Sequence, residues 1–312
     1  MNDNMVMDIE KVEVSVIVAT YNSSLDKIML TLRSVSEQSK VGMEIVVADD
    51  GSVENHAAEI EGFLRDKGIE NYRLLMHEHN EGTIKNCFDA VCKSKGKYIK
   101  LISPGDCLYG IKALRKWIDH IEKENREWSF CDTVYYHLSG KEKIIDKVRR
   151  HPMVLRPYRE QDDYRCRRNV VVYADCILGA STLVHRDLFI KYLGELTGRT
   201  KYAEDFSYRL MMWDDIVPCY YPCPVMLYEN GTGISSSRNA KWVRILQKEW
   251  DVTTEILMGR EPDDDQIKIR LRKKLFLANR FRYVYILYRV ICRYFFVLFE
   301  PEKYTIDHLP QV

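Results

Sequence analysis

Val14–Asn22, VSVIVATYN, and Glu44–Ser52, EIVVADDGS, are the stretches whose reading decides the fold. Each is a short β-branched apolar run that stops abruptly in small polar residues, the pattern of a buried parallel strand ending at a ligand-facing edge. In open α/β sheets, ligands settle in the crevice beyond the carboxyl ends of the strands. Thr20, Tyr21 and Asn22 stand at one such end, and Asp49, Asp50 and Gly51 at the next. An aromatic face and a carboxylate converging there suit a nucleoside: the ring stacks, and N–H or ribose O–H groups donate to the carboxylate. Neither GxxxxGK[ST] nor GxGxxG follows the first strand, which argues against a dinucleotide or ATP cradle.

The flanking sequence keeps the same rhythm. Leu25, Ile28, Met29, Leu32 and Val35 recur at helical spacing behind a capping Ser23 or Ser24. Ile45–Ala48 is the second strand, followed by a helix around Val53–Lys67. Tyr72–His77 is expected as a strand, Glu81–Lys93 as a helix and Tyr98–Ile102 as a fourth strand, closed by Ser103-Pro104-Gly105-Asp106. This alternation argues for a doubly wound, mostly parallel α/β sheet. Beyond about residue 125 the rhythm breaks. Trp128–Thr133, Gly179–His185 and Tyr220–Tyr228 look like strands, Ala203–Trp213 and Asn239–Leu257 like helices, and Ser139–Arg168 carries no legible signal.

At 312 residues, 46% hydrophobic and 30% charged, the chain is long enough for an ample core and is not of disordered composition. A net charge of +1 excludes a molecule built as a whole to bind polyanions. The nine cysteines are irregularly spaced and lack zinc-finger pairing, so reduced, mostly buried thiols are expected. The N-terminus has neither a basic n-region nor an apolar h-region, and no run of about 18 uncharged apolar residues occurs, so neither secretion nor a membrane-spanning helix is expected.

Taken in order, VSVIVATYN, VVADDGS, Asn80-Glu81-Gly82, Gly96–Ile99, Ser103–Asp106 and Ala203-Glu204-Asp205 resemble the family 2 glycosyltransferases of the GT-A fold. The resemblance covers roughly residues 12–235. It implies a GT-A catalytic domain over 1–235, with a nucleotide-sugar half (12–125), an acceptor half (126–235) and a helical C-terminal extension over 236–312. It also implies that Thr20, Tyr21 and Asn22 line the nucleotide site, that Asp50 accepts from the base and that Asp49 supports the turn. Asn80, Gly82, Lys85 and Ser103 stand beside the donor. Lys85 either reaches a phosphate or is a surface lysine.

Members of that family usually carry an Asp-x-Asp-Asp cluster where this chain has Ser103-Pro104-Gly105-Asp106, so only the last carboxylate survives. The resemblance makes Asp106 a ligand of Mn²⁺ or Mg²⁺, ions content with one or two carboxylates plus phosphates and water. Alternatively, Asp106 closes the Pro-Gly turn or caps the helix beginning near Gly110. Asp205 matches the family's general base and Glu204 its neighbour, although acidic residues in a first helical turn also merely favour the helix dipole. Gly179-Ala180-Ser181 matches the acceptor-side wall. Tyr208 and Trp213 stack on an acceptor ring or pack in the core. Arg33 is expected to be solvated, and His77, His79 and His185 form no legible ligand set.

Between Ile267 and Phe299 there are nine Lys or Arg and no Asp or Glu. Such a basic, aromatic helix suits an anionic bilayer surface, the face of the catalytic domain or a dimer contact. No reading motif for nucleic acid accompanies it. The expectation is an inverting, metal-assisted transferase. It would move sugar from a nucleotide diphosphate donor, most simply a UDP-sugar, to a lipid-linked or surface-polysaccharide glycan. It would sit in the cytoplasm, peripherally on the inner face of the membrane. A non-catalytic sugar-nucleotide binder and a nucleotidyltransferase are the alternatives.

Overall fold

The computed structural model describes residues 12–139, 142–145, 151–231, 233, 239–261, 265–280 and 287. Its first part runs β1 (Val14–Thr20), α1 (Leu25–Ser36), β2 (Met43–Asp49), α2 (Ala57–Asp66), β3 (Tyr72–Met76), α3 (Thr83–Lys93) and β4 (Tyr98–Ile102). There follow β5 (Cys107–Leu108), α4 (Ala113–Glu124), β6 (Trp128–Ser139), β7 (Glu142–Ile145), α5 (Arg156–Arg159) and α6 (Asp163–Tyr173). After a 3₁₀ turn at Gly179–Ser181 come β8 (Thr182–His185), α7 (Arg186–Leu196), α8 (Phe206–Trp213), β9 (Cys219–Glu229), α9 (Ala240–Met258) and α10 (Gln266–Arg280).

The strands of the described residues form one mixed sheet in the order β3-β2-β1-β4-β8-β6-β9-β5, with β7 on β6. β1, β2, β3 and β4 pair in parallel, Val14 opposite both Met43 and Tyr98. β8 then runs antiparallel to β4 and β6, while β6 and β9 run parallel again. β1 lies between β2 and β4, so the chain reverses its winding there. That switch point opens a crevice at the carboxyl ends of β1 and β4.

Both faces of the sheet are covered, which is why its strands read as unbroken apolar runs. Val14, Val16 and Val18 face α1, α2 and α4, where Leu32, Leu64 and Trp117 pack. Ile17 faces the opposite layer, with Cys87 of α3, Tyr192 of α7, Met211 of α8, Leu257 of α9 and Leu271 of α10. The alternation follows from the period-two side-chain direction of a strand. Helices α9 and α10 thus contribute to the same core as the sheet. No helix among the described residues is long and apolar enough to cross a membrane. Of the nine cations between Ile267 and Phe299, Arg282, Arg289 and Arg293 lie outside the described residues, while Lys268 is buried and donates to the Arg260 carbonyl.

Ser24 occupies the N-cap of α1, but its side chain makes no capping bond. The stretch 139–168 contains β7, α5 and the start of α6, which propensity alone did not reveal. Pro157 at the head of α5 and the buried apolar side of α6 are stabilised by tertiary packing, which overrides weak local preference.

Candidate active site

At the end of β1, the Thr20 hydroxyl donates to Asp49 Oδ2 (2.7 Å). Asp49 also accepts from the Ser52 amide (2.8 Å) and hydroxyl (2.6 Å). Asp49 therefore supports the turn, as expected. Asn22 adopts φ 47, its amide donates to Ser52 Oγ (2.7 Å) and its Oδ1 accepts from Val53 N–H (3.1 Å). These bonds tie the two strand ends together and leave Tyr21 half exposed, free for a ring to stack on.

Asp50 is buried, and its carboxylate is committed inside the protein. It accepts from Asn80 Nδ2 (2.9 Å), Glu81 N–H (2.8 Å) and Gly82 N–H (2.9 Å). Three donors from the Asn80–Gly82 turn take up most of its lone-pair capacity, because a buried carboxylate must be satisfied by donors, and a base would share what remains. Lys85 is paired with Asp89, whose carboxylate also lies 3.3 Å from His77 Nε2. Ser103 is exposed at the mouth of the crevice, and its carbonyl accepts from the Thr31 hydroxyl (3.3 Å).

Asp106 is buried at 3% exposure, and its Oδ1 accepts from the Glu229 amide (2.9 Å), linking β5 to the end of β9. It caps no helix: the N-cap of α4 is Lys112. Burial pushes its carboxyl up to about 7, against the pull of the Glu229 amide and of Lys100. Gly105, with φ 102, has no room for a side chain, because an added Cβ would fall on Glu229 Oε2. Sequence reasoning missed Glu229, whose carboxylate stands where a side chain at 105 would go, with Lys27 Nζ 2.8 Å away. Its only sequence signal is its place at a strand end. Two buried carboxylates, one of them shared with Lys27, are oxygen donors of the kind a hard divalent cation takes, so Asp106 and Glu229 fit such an ion. Among the described residues no group of three or more acidic, His or Cys ligands exists, so phosphate and water oxygens would complete the shell.

Across the sheet edge, Glu204 and Asp205 lie in the loop entering α8, with Asp205 at its N-cap. Gly179 packs directly on them: a Cβ there would meet Glu204 Oε1 at 3.1 Å and Asp205 Cβ at 3.5 Å. A larger residue at 179 would press on the Glu204 carboxyl. Burial raises both, and each feels the other's charge or that of Glu249, which raises them further. The two neighbouring carboxyls take up and release protons as a pair, so the first ionisation leaves one carboxylate beside one protonated acid. An ionised carboxylate beside a protonated neighbour is the state a general base needs near neutrality.

Lys201 joins the two sides. Its carbonyl accepts from Ile84 N–H (3.1 Å), its Nζ donates to Asn80 O (3.3 Å), and its stem lies over Gly82 where a Cβ would have to sit. Tyr208 and Trp213 are buried. Tyr208 stacks on Trp128 at 5.1 Å and bonds Thr182, so both belong to the core and not to an acceptor platform. Arg33 is exposed, as expected. A cleft of about 480 Å³ opens beside this junction, lined by Lys85, Arg199, Lys201 and Lys248 among others.

The family model described as "Glycosyl transferase family 2" matches residues 15–189, more than half of the chain. An "Uncharacterized glycosyltransferase" of Rickettsia bellii (strain RML369-C) is 28% identical over 136 residues, which are 44% of this chain and 19% of that protein. The match thus spans about a fifth of the curated relative's length. Among solved structures, S. aureus TarS 1-349 in complex with UDP-GlcNAc aligns with a TM-score of 0.57 at 17% identity, over 87% of this chain and 73% of the TarS 1-349 chain. The mannosyltransferase PcManGT of Pyrobaculum calidifontis, in complex with GDP-Man and Mn²⁺, aligns with a TM-score of 0.59 at 14% identity, over 90% and 75%. At such identities the likeness establishes the fold.

Proposed function

The chain belongs to glycosyl transferase family 2, and on that premise we propose that it is an inverting transferase moving a sugar from a nucleotide diphosphate donor to a glycan hydroxyl. The observation that carries this reading is the junction at Lys201, which holds the Glu204–Asp205 loop against the turn that Asp50 organises. A base and a nucleoside crevice on one sheet edge suit a single displacement, in which the acceptor hydroxyl attacks C1 opposite the leaving diphosphate. Asp205 takes the hydroxyl proton. Glu204, protonated, donates a hydrogen bond to the acceptor or to Asp205. Tyr21 stacks on the base.

A divalent cation held by Asp106 and Glu229 would neutralise charge on the departing diphosphate. The neighbours solved with UDP-GlcNAc and with GDP-Man and Mn²⁺ support a donor of this chemistry, and a UDP-sugar is the simplest choice. Lys85, Arg199, Lys201 and Lys248 outnumber Glu81 and Glu249 in the cleft beside the junction, an excess that suits an acceptor carrying phosphate, as a lipid-linked glycan does. The basic C-terminal stretch would then bring the enzyme to an anionic inner membrane surface from the cytoplasm.

The test is nucleoside diphosphate release from a panel of UDP-, GDP-, CDP- and dTDP-sugars with Mn²⁺ or Mg²⁺ and a phosphate-bearing glycan acceptor. Release by the wild type that Asp205→Asn abolishes supports the reading. Tight donor binding without turnover from any donor would instead favour a non-catalytic sugar-nucleotide binder, the alternative that the loss of carboxylates at Ser103 and Gly105 leaves open.

A further inference from the structure

Glu249 lies in α9, far along the chain from every motif that marks the site. Its side chain is buried at 7% exposure, and both oxygens are spent on one loop. Oε1 accepts from the backbone N–H groups of Lys201 (2.8 Å) and Tyr202 (3.0 Å), and Oε2 from Tyr202 (3.2 Å) and Ala203 (2.9 Å). Three consecutive amides converging on an anion form a nest, and charge-assisted bonds of this kind are about twice as strong as neutral ones. The next two residues are Glu204 and Asp205. The first of the three, Lys201, is also the one that covers Gly82 and bonds Asn80 and Ile84.

Helix α9 is itself locked to α8. Arg209 of α8 donates to the hydroxyls of Thr253 (2.9 Å) and Thr254 (2.7 Å), and its guanidinium lies 3.8 Å from the Trp250 ring centroid. Phe206, one residue past Asp205, meets Trp250 edge-on at 5.4 Å. The loop is therefore clamped at its start by Glu249 and at its end by the α8–α9 contact.

We propose that Glu249 is the positioning residue of the Glu204–Asp205 pair: its carboxylate fixes the 201–203 backbone, and so aims Asp205 while keeping Lys201 over the donor turn. This rests on Asp205 being the general base. Glu249 acts in two ways, through geometry and through charge. Glu249 on α9, Cys87 on α3, Tyr208 on α8 and Cys176 ahead of Gly179 are the titratable groups whose charge is felt across the pair, with Lys201 on the same loop. Among them Glu249 supplies a negative charge that favours the protonated form of Asp205.

The experiment compares the wild type with Glu249→Gln, Glu249→Asp and, as a control on the exposed side of the same helix, Glu255→Gln. Turnover is followed from pH 5 to 9, with amide hydrogen exchange over residues 199–206. Glu249→Gln keeps the shape, loses the charge and turns an NH₂ group toward the amides. Its kcat is expected to fall about ten-fold, its donor KM to change less than about three-fold, and the acid limb of its pH profile to move down by roughly half a unit. Glu249→Asp, which keeps the charge, is expected to hold the acid limb in place even as kcat falls. The amides of Lys201, Tyr202 and Ala203 are expected to exchange slowly in the wild type and fast in Glu249→Gln.

An unmoved acid limb in Glu249→Gln, a shift as large in Glu255→Gln, or fast exchange of the three amides in the wild type overturns the proposal. The last readout decides even if both Glu249 variants fail to fold. Full activity of Asp205→Asn would overturn the base assignment and this inference together. A dead Asp205→Asn beside a Glu249→Gln with wild-type kinetics would overturn this inference alone.

Discussion

The two halves of the crevice are held by the same device, a buried carboxylate that gathers successive backbone amides, yet the two carboxylates come from different places. On the side proposed for the donor, Asp50, at the end of a parallel strand, takes the amides of Glu81 and Gly82 and the side chain of Asn80. On the side proposed for the base, Glu249, from the middle of a late helix, takes the amides of Lys201, Tyr202 and Ala203. The first clamp is part of the sheet edge itself. The second depends on how a C-terminal helix docks. A loop can therefore owe its shape to a helix that lies far along the chain from it.

If the halves divide the work this way, variants of the base half lower kcat and variants of the donor half raise KM. Asp205→Asn sets the upper end: turnover is expected to fall on the order of 10³-fold with donor KM little changed, since general-base catalysis contributes in that range. A steady-state assay in which KM moves instead would break the division. Asp106→Asn removes one of the two carboxylates proposed for the cation. Calorimetric titration of Mn²⁺ with nucleoside diphosphate is expected to show about a hundred-fold loss, the upper part of the range seen when a metal's surroundings are altered. Undiminished cation binding in that variant would take Asp106 out of the site.

Asp50→Asn turns a nitrogen donor toward amides that need an acceptor. Unmade bonds of this kind cost about 1–3 kcal/mol. The expected outcome is a roughly ten-fold rise in donor KM and a lower Tm at nearly wild-type kcat. The smallest effect concerns pH. The carboxyl of Asp205 is raised above its ordinary value of 3.8 to about 6. Its contribution to stability is therefore full below pH 4 and lost as pH rises through 6. Thermal unfolding of the wild type at pH 5 and pH 8 is expected to show a larger Tm drop than in Asp205→Asn, where that ionisation is absent. Equal drops would mean that the Asp205 carboxyl is not raised in the folded protein.

The donor half was largely legible in advance. β1, β2 and β4 fell within one or two residues of their expected ranges, and Thr20–Asn22, Asp49 and Asp50 stand at the strand ends that the apolar runs marked. Asp50 nevertheless serves the Asn80–Gly82 turn, thirty residues on, because a carboxylate buried at 3% exposure takes whatever donors the fold brings to it. The base half was legible only as far as Glu204-Asp205 and Gly179. Tyr208 and Trp213, plausible as acceptor platforms by residue type, are core residues because α8 is buried between α7 and α9.

Local order was within reach of the residues alone: where a β-branched run stops and where a helical period begins are questions settled over ten residues or fewer. The partners of the site were not. Lys27 meets Glu229 across 202 positions, Glu229 meets Asp106 across 123 and Glu249 meets Lys201 across 48. Neither glutamate carries a local signature, since a glutamate at a strand end or inside a helix reads as solvated until folding encloses it. Enclosure is what assigns each its donors, because a charge taken out of water persists only where amides, an ammonium group or a cation replace the water it lost.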